Sequence, residues 1–194
     1  MSPIPVFGVE AYVPSMCAKL SLVEIYHYDD PKHGVSFKYQ GPGHIYADAY
    51  LYNLGLSNIP DDLKSPEVTG WFQDAIAGIL KLKPVKFKMN QNPTEVGYSF
   101  LFRNEDNSSP LCLWAQFTYE ETISNSEQQD SGIYQVEMTS HLTLRTDRGF
   151  INKIRFSYPN VKEISDIGSK VFQAFLSEWT AAVQNFNCKH NVLL

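Results

Sequence analysis

The stretch GPGHIYADAYLYNLG, residues 41–55, decides the fold class, because two interpretations of it predict two different architectures. Glycines on both sides of Pro42 are typical of a loop that binds phosphate. Such a loop must lead straight into a helix, whose free N–H groups bind the anion. Here it leads into side chains that alternate with a period of two. The stretch therefore predicts a tight turn between two β-strands, and it argues against a phosphate site.

The strand that follows the turn has two faces of different character, because successive side chains point to opposite sides. One face carries small and aliphatic side chains: Ile45, Ala47, Ala49 and Leu51. The other carries aromatic and ionisable side chains: His44, Tyr46, Asp48, Tyr50 and Tyr52. The alanines predict close approach of a helix on their side. The tyrosine face is either core beneath a covering layer, or a groove for a ligand or partner with Asp48 at its floor and His44 near its rim.

Outside this stretch, the chain predicts further strands, two helices and turn clusters between them. Alternation predicts strands at 20–28, 35–40, 85–89, 97–104, 111–123, 132–146 and 150–158. In 132–146, His141 shares a polar face with Glu137, Thr139, Thr143 and Arg145, which we expect to be solvated; acid–base work by His141, Glu137 and Arg145 is the alternative. Apolar side chains at spacings of three and four predict a helix with Ser65 as its N-cap and another at about 165–186. The apolar stripe of the first helix is Val68, Trp71, Phe72, Ala75, Ile76, Ile79 and Leu80, and that of the second is Ile167, Val171, Phe172, Phe175, Leu176, Trp179, Val183 and Phe186. Two helices are too few for repeated crossovers, so we predict an α+β fold with a largely antiparallel sheet and both helices packed on it. Trp71 and Trp179 lie on the apolar stripes of these helices, and we expect both to be buried.

Length and composition indicate one globular domain. The 194 residues, 43% hydrophobic and 19% charged, are expected to form a single domain over 1–194, in which the proline-containing segment 1–19 is an extended arm. A net charge of −5 argues against a nucleic-acid partner. No apolar run predicts a transmembrane helix. We therefore expect a soluble chain, cytoplasmic if full-length, and periplasmic or secreted if a leader has been removed.

Three segments resemble those of a known group of folds. The entry HGVSFKYQGPG (33–43), the strand GFINKIRFSYP (149–159) and the helix after it are similar in order and pattern to the PsbP/Mog1-like proteins, over about residues 20–186. The likeness contains no signature motif, so no functional residues are carried over. It implies a compact accessory or binding module more than an enzyme.

The best candidate for a metal site is the segment HYDDPKH. It places His27, Asp29, Asp30 and His33 within seven positions, and zinc and related ions accept both types of ligand. Two aspartates before a proline are equally typical of a turn between strands, in which their side chains bind nearby backbone N–H groups. Both interpretations stay open, and no cofactor is expected from any motif.

The absence of a recognisable catalytic motif favours a non-enzymatic binding module that uses the tyrosine face for a protein partner or a small ligand. The alternative is a metal-dependent or acid–base enzyme that uses either the His27, Asp29, Asp30 and His33 cluster or His44 with Asp48. A further alternative is a structural or assembly subunit. Three cysteines without CxxC spacing argue against zinc ribbons and redox motifs; three free or buried thiols are the simpler expectation, and one disulfide with one free thiol stays open as the alternative.

Overall fold

The structure is a computed structural model that describes residues 4–6, 9–11, 13–82, 85–87, 99–102, 110–124, 133–147 and 149–188. Within these residues there are eleven strands and two α-helices. The strands are β1 (Ile4–Val6), β2 (Val9–Ala11), β3 (Met16–Cys17), β4 (Leu20–His27), β5 (Val35–Gln40), β6 (Tyr46–Tyr52), β7 (Val85–Phe87), β8 (Ser99–Phe102), β9 (Pro110–Ser124), β10 (Ile133–Asp147) and β11 (Phe150–Pro159). The helices are α1 (Pro66–Leu82) and α2 (Lys162–Cys188).

Nine of these strands form one sheet in which every pairing is antiparallel. The order across it is β3, β4, β5, β6, β11, β10, β9, β7. β8 pairs with β9 on the same side as β7, at Pro110–Trp114, whereas β7 pairs at Phe117–Tyr119. β1 and β2 pair antiparallel as a separate two-stranded sheet. The predicted α+β class, with a largely antiparallel sheet and two main helices, is confirmed.

The turn that opens the 41–55 stretch joins β5 to β6 as a hairpin connection. Gly43 has φ of 69°, in the left-handed region that glycine tolerates best, and the Gly41 N–H donates to the Ile45 carbonyl at 2.8 Å. His44 was predicted at the start of the strand face. It instead ends the turn, itself with a positive φ of 58°.

One face of the sheet packs against α2. The apolar side chains of β5 and β6 point to this side, and Ala47 and Ala49 are fully buried there. Aromatic rings of α2 fill the space above them: Trp179 lies 5.4 Å from Phe37, and Phe175 lies 5.3 Å from Tyr39, between ring centroids. The prediction that the alanines face a packed helix is confirmed.

The start of α2 approaches β11 so closely that only glycine fits at one position. A Cβ at Gly168 would lie within 2.8 Å of three carbons of the Tyr158 ring.

Next to Tyr158, His141 contacts three aromatic side chains. Its Nδ1 accepts from Trp114 Nε1 at 3.1 Å, its Nε2 lies 3.1 Å from the Tyr158 hydroxyl, and its ring stacks on Phe172 at 4.2 Å. A solvated strand face was predicted for His141 and its neighbours. This was wrong for His141, Thr139 and Thr143, which are buried, with Phe172 of α2 stacked on the His141 ring, whereas Glu137 is exposed as predicted.

The opposite face is covered in part by α1. Ser65 caps this helix as predicted, since its Oγ accepts from the Val68 N–H at 3.2 Å. Val68, Phe72 and Ile76 are buried against apolar side chains of β9 and β10, including Leu113, Ala115, Phe117, Leu142 and Leu144. Residues 138–144 of β10 are therefore buried on both faces of the sheet.

The N-terminal residues from Val13 onward pack on the α2 side of the sheet. Val13 and Cys17 are buried in the core beneath α2, and the Tyr39 hydroxyl donates to the Pro14 carbonyl at 2.7 Å. The Ala18 N–H donates to Glu178 Oε2 on α2 at 2.7 Å. This segment therefore does not cover the tyrosine face of β6.

The predicted apolar stripes are correct at their centres and wrong at their margins. Trp179 is fully buried, and its Nε1 donates to Asn152 Oδ1 at 3.0 Å. Trp71 is only half-buried, at the edge of the core, and Phe72 takes the central position. Ile167 is 56% exposed and Leu80 is 40% exposed, because each lies where its helix faces away from the sheet. Phe186 was also placed on the stripe, but its side chain lies outside the described part of the chain.

Among the described helices, none combines the length and apolar character needed to cross a membrane.

We expect the Gly168→Ala variant to lose about 1–3 kcal/mol of unfolding free energy, because the added methyl group overlaps the Tyr158 ring. The matched control is Gly78→Ala on α1, where no atom lies within 4 Å of the added Cβ. That substitution should stabilise the protein by up to about 1 kcal/mol through helix propensity. Urea unfolding of both variants measures the difference, and equal effects would contradict the close approach of α2.

The two tryptophans should differ in their contribution to stability. Trp179→Ala removes a fully buried ring and its hydrogen bond to Asn152, so we expect a loss of about 3–5 kcal/mol. Trp71→Ala removes a half-buried ring and should have a clearly smaller effect. Thermal and urea unfolding are the measurements. A Trp71→Ala variant as unstable as Trp179→Ala would contradict the position of Trp71 at the edge of the core.

Candidate functional site

The polar face of β6 lies on the side of the sheet opposite α2, as its alternation predicted. Tyr46, Asp48, Tyr50 and Tyr52 are each half-buried, and they alternate with fully buried residues. Antiparallel pairing places charged side chains of the neighbouring strands beside them: Lys38 of β5 and Arg155 of β11 both stand directly opposite Asp48. A polar surface therefore extends from β5 across β6 to β11.

The sheet curls toward this face, and tyrosines of two distant strands meet across the concavity. β6 and β9 are separated by β11 and β10, so that in a flat sheet they would lie about 14 Å apart. The hydroxyl groups of Tyr46 on β6 and Tyr119 on β9 are nevertheless in hydrogen-bond contact. Both also contact Glu121 Oε2, at 2.9 Å from Tyr46 and 3.1 Å from Tyr119. Burial is the largest cause that raises the pKa of each tyrosine, so both hydroxyl groups stay protonated donors at neutral pH.

A cleft of about 660 Å³ opens on this concave side. It runs from the β5–β6 turn to the end of β9. Its wall on the turn side consists of residues 41–45, and the opposite wall consists of Glu121, Thr122 and Ile123. Between them lie Lys38, Gln40, Tyr46, Asp48 and Met138. The volume is in the range of small-molecule sites in proteins.

Four charges of alternating sign cross the sheet in one row beside the cleft. Glu24 of β4 stands opposite Lys38, Lys38 opposite Asp48, and Asp48 opposite Arg155. Burial is the largest effect on Asp48 and raises the pKa of its carboxyl group, and the charges of Lys38 and Arg155 oppose that rise. Within the described part of the chain, neither Asp48 nor Lys38 makes a hydrogen bond or an ion pair through its side chain. The pair is adjacent without being in contact.

Two further cations lie over the tyrosines of this face. Lys153 Nζ is 4.2 Å from the centre of the Tyr50 ring, and burial lowers the pKa of this lysine. The Arg155 guanidinium is 5.1 Å from the centre of the Tyr119 ring, and its Nε donates to Ser140 Oγ at 3.4 Å. These cations hold the aromatic side chains in place and balance the carboxylates nearby.

The five residues predicted on the tyrosine face fall into two groups. His44, Tyr46 and Asp48 line the cleft, with His44 exposed in the turn at its edge. Tyr50 and Tyr52 are on the same face but are not part of the lining, and Tyr52 packs against the core beneath α1. Sequence reasoning missed the contributions of Lys38 and Glu121. Lys38 was recognisable as the polar residue of an alternating strand, whereas nothing local in the sequence brings Glu121 to β6.

The four residues of the predicted metal site lie at the turn between β4 and β5. Asp30 caps the short turn at Pro31–His33: its Oδ1 accepts from the Lys32 N–H at 3.1 Å, and its Oδ2 pairs with Lys32 Nζ at 2.7 Å. The His33 ring packs against Tyr28. Among the described residues, no three His, Cys, Asp or Glu side chains gather closely enough to share a metal ion. The turn interpretation accounts for Asp30, and metal binding by His27, Asp29, Asp30 and His33 stays a prediction without a grouped set of ligands.

Comparisons of this chain with family models, with curated proteins and with solved structures found no significant match. The resemblance to PsbP/Mog1-like proteins therefore stays a prediction, and the case for function depends on the geometry of the cleft.

Proposed function

We propose that the protein is a non-enzymatic binding module whose site is the cleft between the β5–β6 turn and the end of β9. The observation that carries this proposal is that the Asp48 carboxyl group lines the cleft without a direct partner. It is a half-buried carboxyl group that lines a concave cleft, and no side chain among the described residues forms an ion pair or hydrogen bond with it. A charge that is partly removed from water and lacks a direct partner destabilises a fold, so its presence in a cleft favours a role in binding.

The shape of the site favours a small ligand over a flat protein interface. Small-molecule sites are concave and hold a few polar groups at fixed positions, whereas protein interfaces cover larger and flatter surfaces. The cleft has these properties. Glu121 in its wall contacts the hydroxyl groups of Tyr46 and Tyr119, and these contacts connect the wall to Tyr46 at the floor. A protein partner that inserts one side chain into the cleft is the alternative outcome of the experiment below.

The proposal is tested by titrating the protein with a panel of metabolites and short peptides, followed by NMR of backbone and tyrosine signals. We expect at least one compound to shift signals of residues 38–48 and 121–123. Asp48→Ala should weaken its binding about tenfold or more, because a hydrogen bond to a charged group is lost. The matched control is Asp74→Ala, at an exposed position of α1 outside the cleft, which should bind like the original protein.

Two results would contradict the proposal. One is a panel in which no compound shifts signals of the cleft. The other is a ligand whose affinity falls equally in Asp48→Ala and Asp74→Ala, since this would place its site elsewhere.

Asp48 should also reduce stability at neutral pH. Burial raises the pKa of its carboxyl group in the folded protein, so ionisation favours the unfolded chain. The penalty is absent below the unfolded pKa of about 3.9 and complete above the raised folded pKa. We therefore expect Asp48→Asn to melt at a higher temperature than the original protein at pH 7, by a difference that shrinks as the pH falls toward 4. Melting curves across this pH range measure it, and a lower melting temperature for Asp48→Asn at pH 7 would mean that Asp48 is paired in the folded state.

A further inference from the structure

We infer that the ligand of the cleft is an uncharged polyhydroxylated compound, a sugar or a polyol. This inference rests on the proposed function and names the chemical class that the site recognises. It is carried by the arrangement of Lys38 and Asp48 on neighbouring strands, and by the balance of charge around them.

Lys38 and Asp48 stand directly opposite each other on β5 and β6 and line the same cleft. Opposed residues of an antiparallel pair have Cβ atoms roughly 4.5–5.5 Å apart. An ammonium group only donates hydrogen bonds, and an ionised carboxylate only accepts them. Because the two side chains do not form an ion pair with each other, a ligand group that accepts from Lys38 and donates to Asp48 would satisfy both. A hydroxyl group does both at a single oxygen atom.

The charges around this pair cancel, which argues against a strongly charged ligand. Glu24, Lys38, Asp48 and Arg155 alternate in sign along one row of the sheet. Lys153, whose charge also acts on Asp48, and Glu121 in the wall of the cleft add one further charge of each sign. A cationic ligand at Asp48 would meet Lys38 and Arg155, and an anionic ligand at Lys38 would meet Asp48 and Glu24. Like charges at such distances repel each other. A neutral ligand gains hydrogen bonds from both signs and meets no repulsion.

The rest of the lining suits the same class of compound. Gln40 is exposed and presents an amide group, which both donates and accepts hydrogen bonds. Tyr46 and Ile123 add half-buried apolar surface for the C–H groups of a sugar ring. Apolar surface with a few convergent polar groups is the usual composition of a small-molecule site.

The inference is tested with an array of neutral and acidic glycans and with NMR titrations that use maltose, cellobiose, N-acetylglucosamine and myo-inositol. Spermidine, glutamate and inositol hexakisphosphate serve as charged probes. We expect a neutral compound to bind at residues 38–48, with an affinity that changes less than about twofold between low and high salt, because no net charge is paired. Asp48→Asn and Lys38→Gln should each weaken this binding about tenfold or more. The control Lys170→Gln, at an exposed position of α2, should leave it unchanged.

The outcomes separate this inference from the proposed function. A charged probe that binds in the cleft, with an affinity that falls steeply as salt is added and without any neutral binder, overturns the ligand class while leaving the cleft as a binding site. A peptide that binds there while all neutral compounds fail does the same. If neither neutral compounds nor charged probes nor peptides shift signals of residues 38–48, both proposals are overturned.

Discussion

The curl of the nine-stranded sheet is the constraint on which the rest of this structure depends. Polar contacts maintain it from the concave side, where Tyr46, Tyr119 and Glu121 join strands that a flat sheet would hold about 14 Å apart. From the opposite side, the rings of Phe175 and Trp179 pack against Tyr39 and Phe37 of β5, in a core that also includes Ala47 and Ala49 of β6. Because both sets of contacts act on β6, this strand links the hydrophobic core to the cleft.

The two faces of the sheet contribute differently to the molecule. The α2 face is dry and tightly packed: even its thiols, Cys17 and Cys112, are buried, and burial raises the pKa of each to about 12. Such thiols stay protonated and unreactive at neutral pH, and they act as small apolar side chains. The other face is packed under α1 and half-open beside β6. A buried core therefore lies on each face, and the half-open part beside β6 carries the ionisable groups.

The concave face carries features that a sequence selected for stability alone would lack. Burial raises the pKa of the Asp48 carboxyl group and lowers that of the Lys153 ammonium group, so each is held where its charged form is less favoured. Lys153 gains a partial offset from the Tyr50 ring. The Asp48 carboxyl group has no such contact. Lys38 and Arg155, which stand opposite it on the neighbouring strands, influence its pKa only through their charges. Proteins often retain strained or uncompensated groups at sites of function, because optimising them for stability would remove the function.

The sequence by itself determined which elements form and which side of each strand is apolar. Alternation in residues 41–55 predicted the β5–β6 hairpin and the opposite directions of Ala47 and Tyr46, because the period of a strand is local. The cap at Ser65 and the centres of the apolar stripes were likewise predictable from nearest neighbours along the chain. Tertiary structure alone decided which polar faces are buried and which are open. His141 looked like part of a solvated face, yet α2 buries it, whereas Asp48 on a similar face lines a cleft. The meeting of Tyr46 with Glu121 had no local signal, since it depends on how far the whole sheet curls, and that follows from packing summed over strands far apart in sequence.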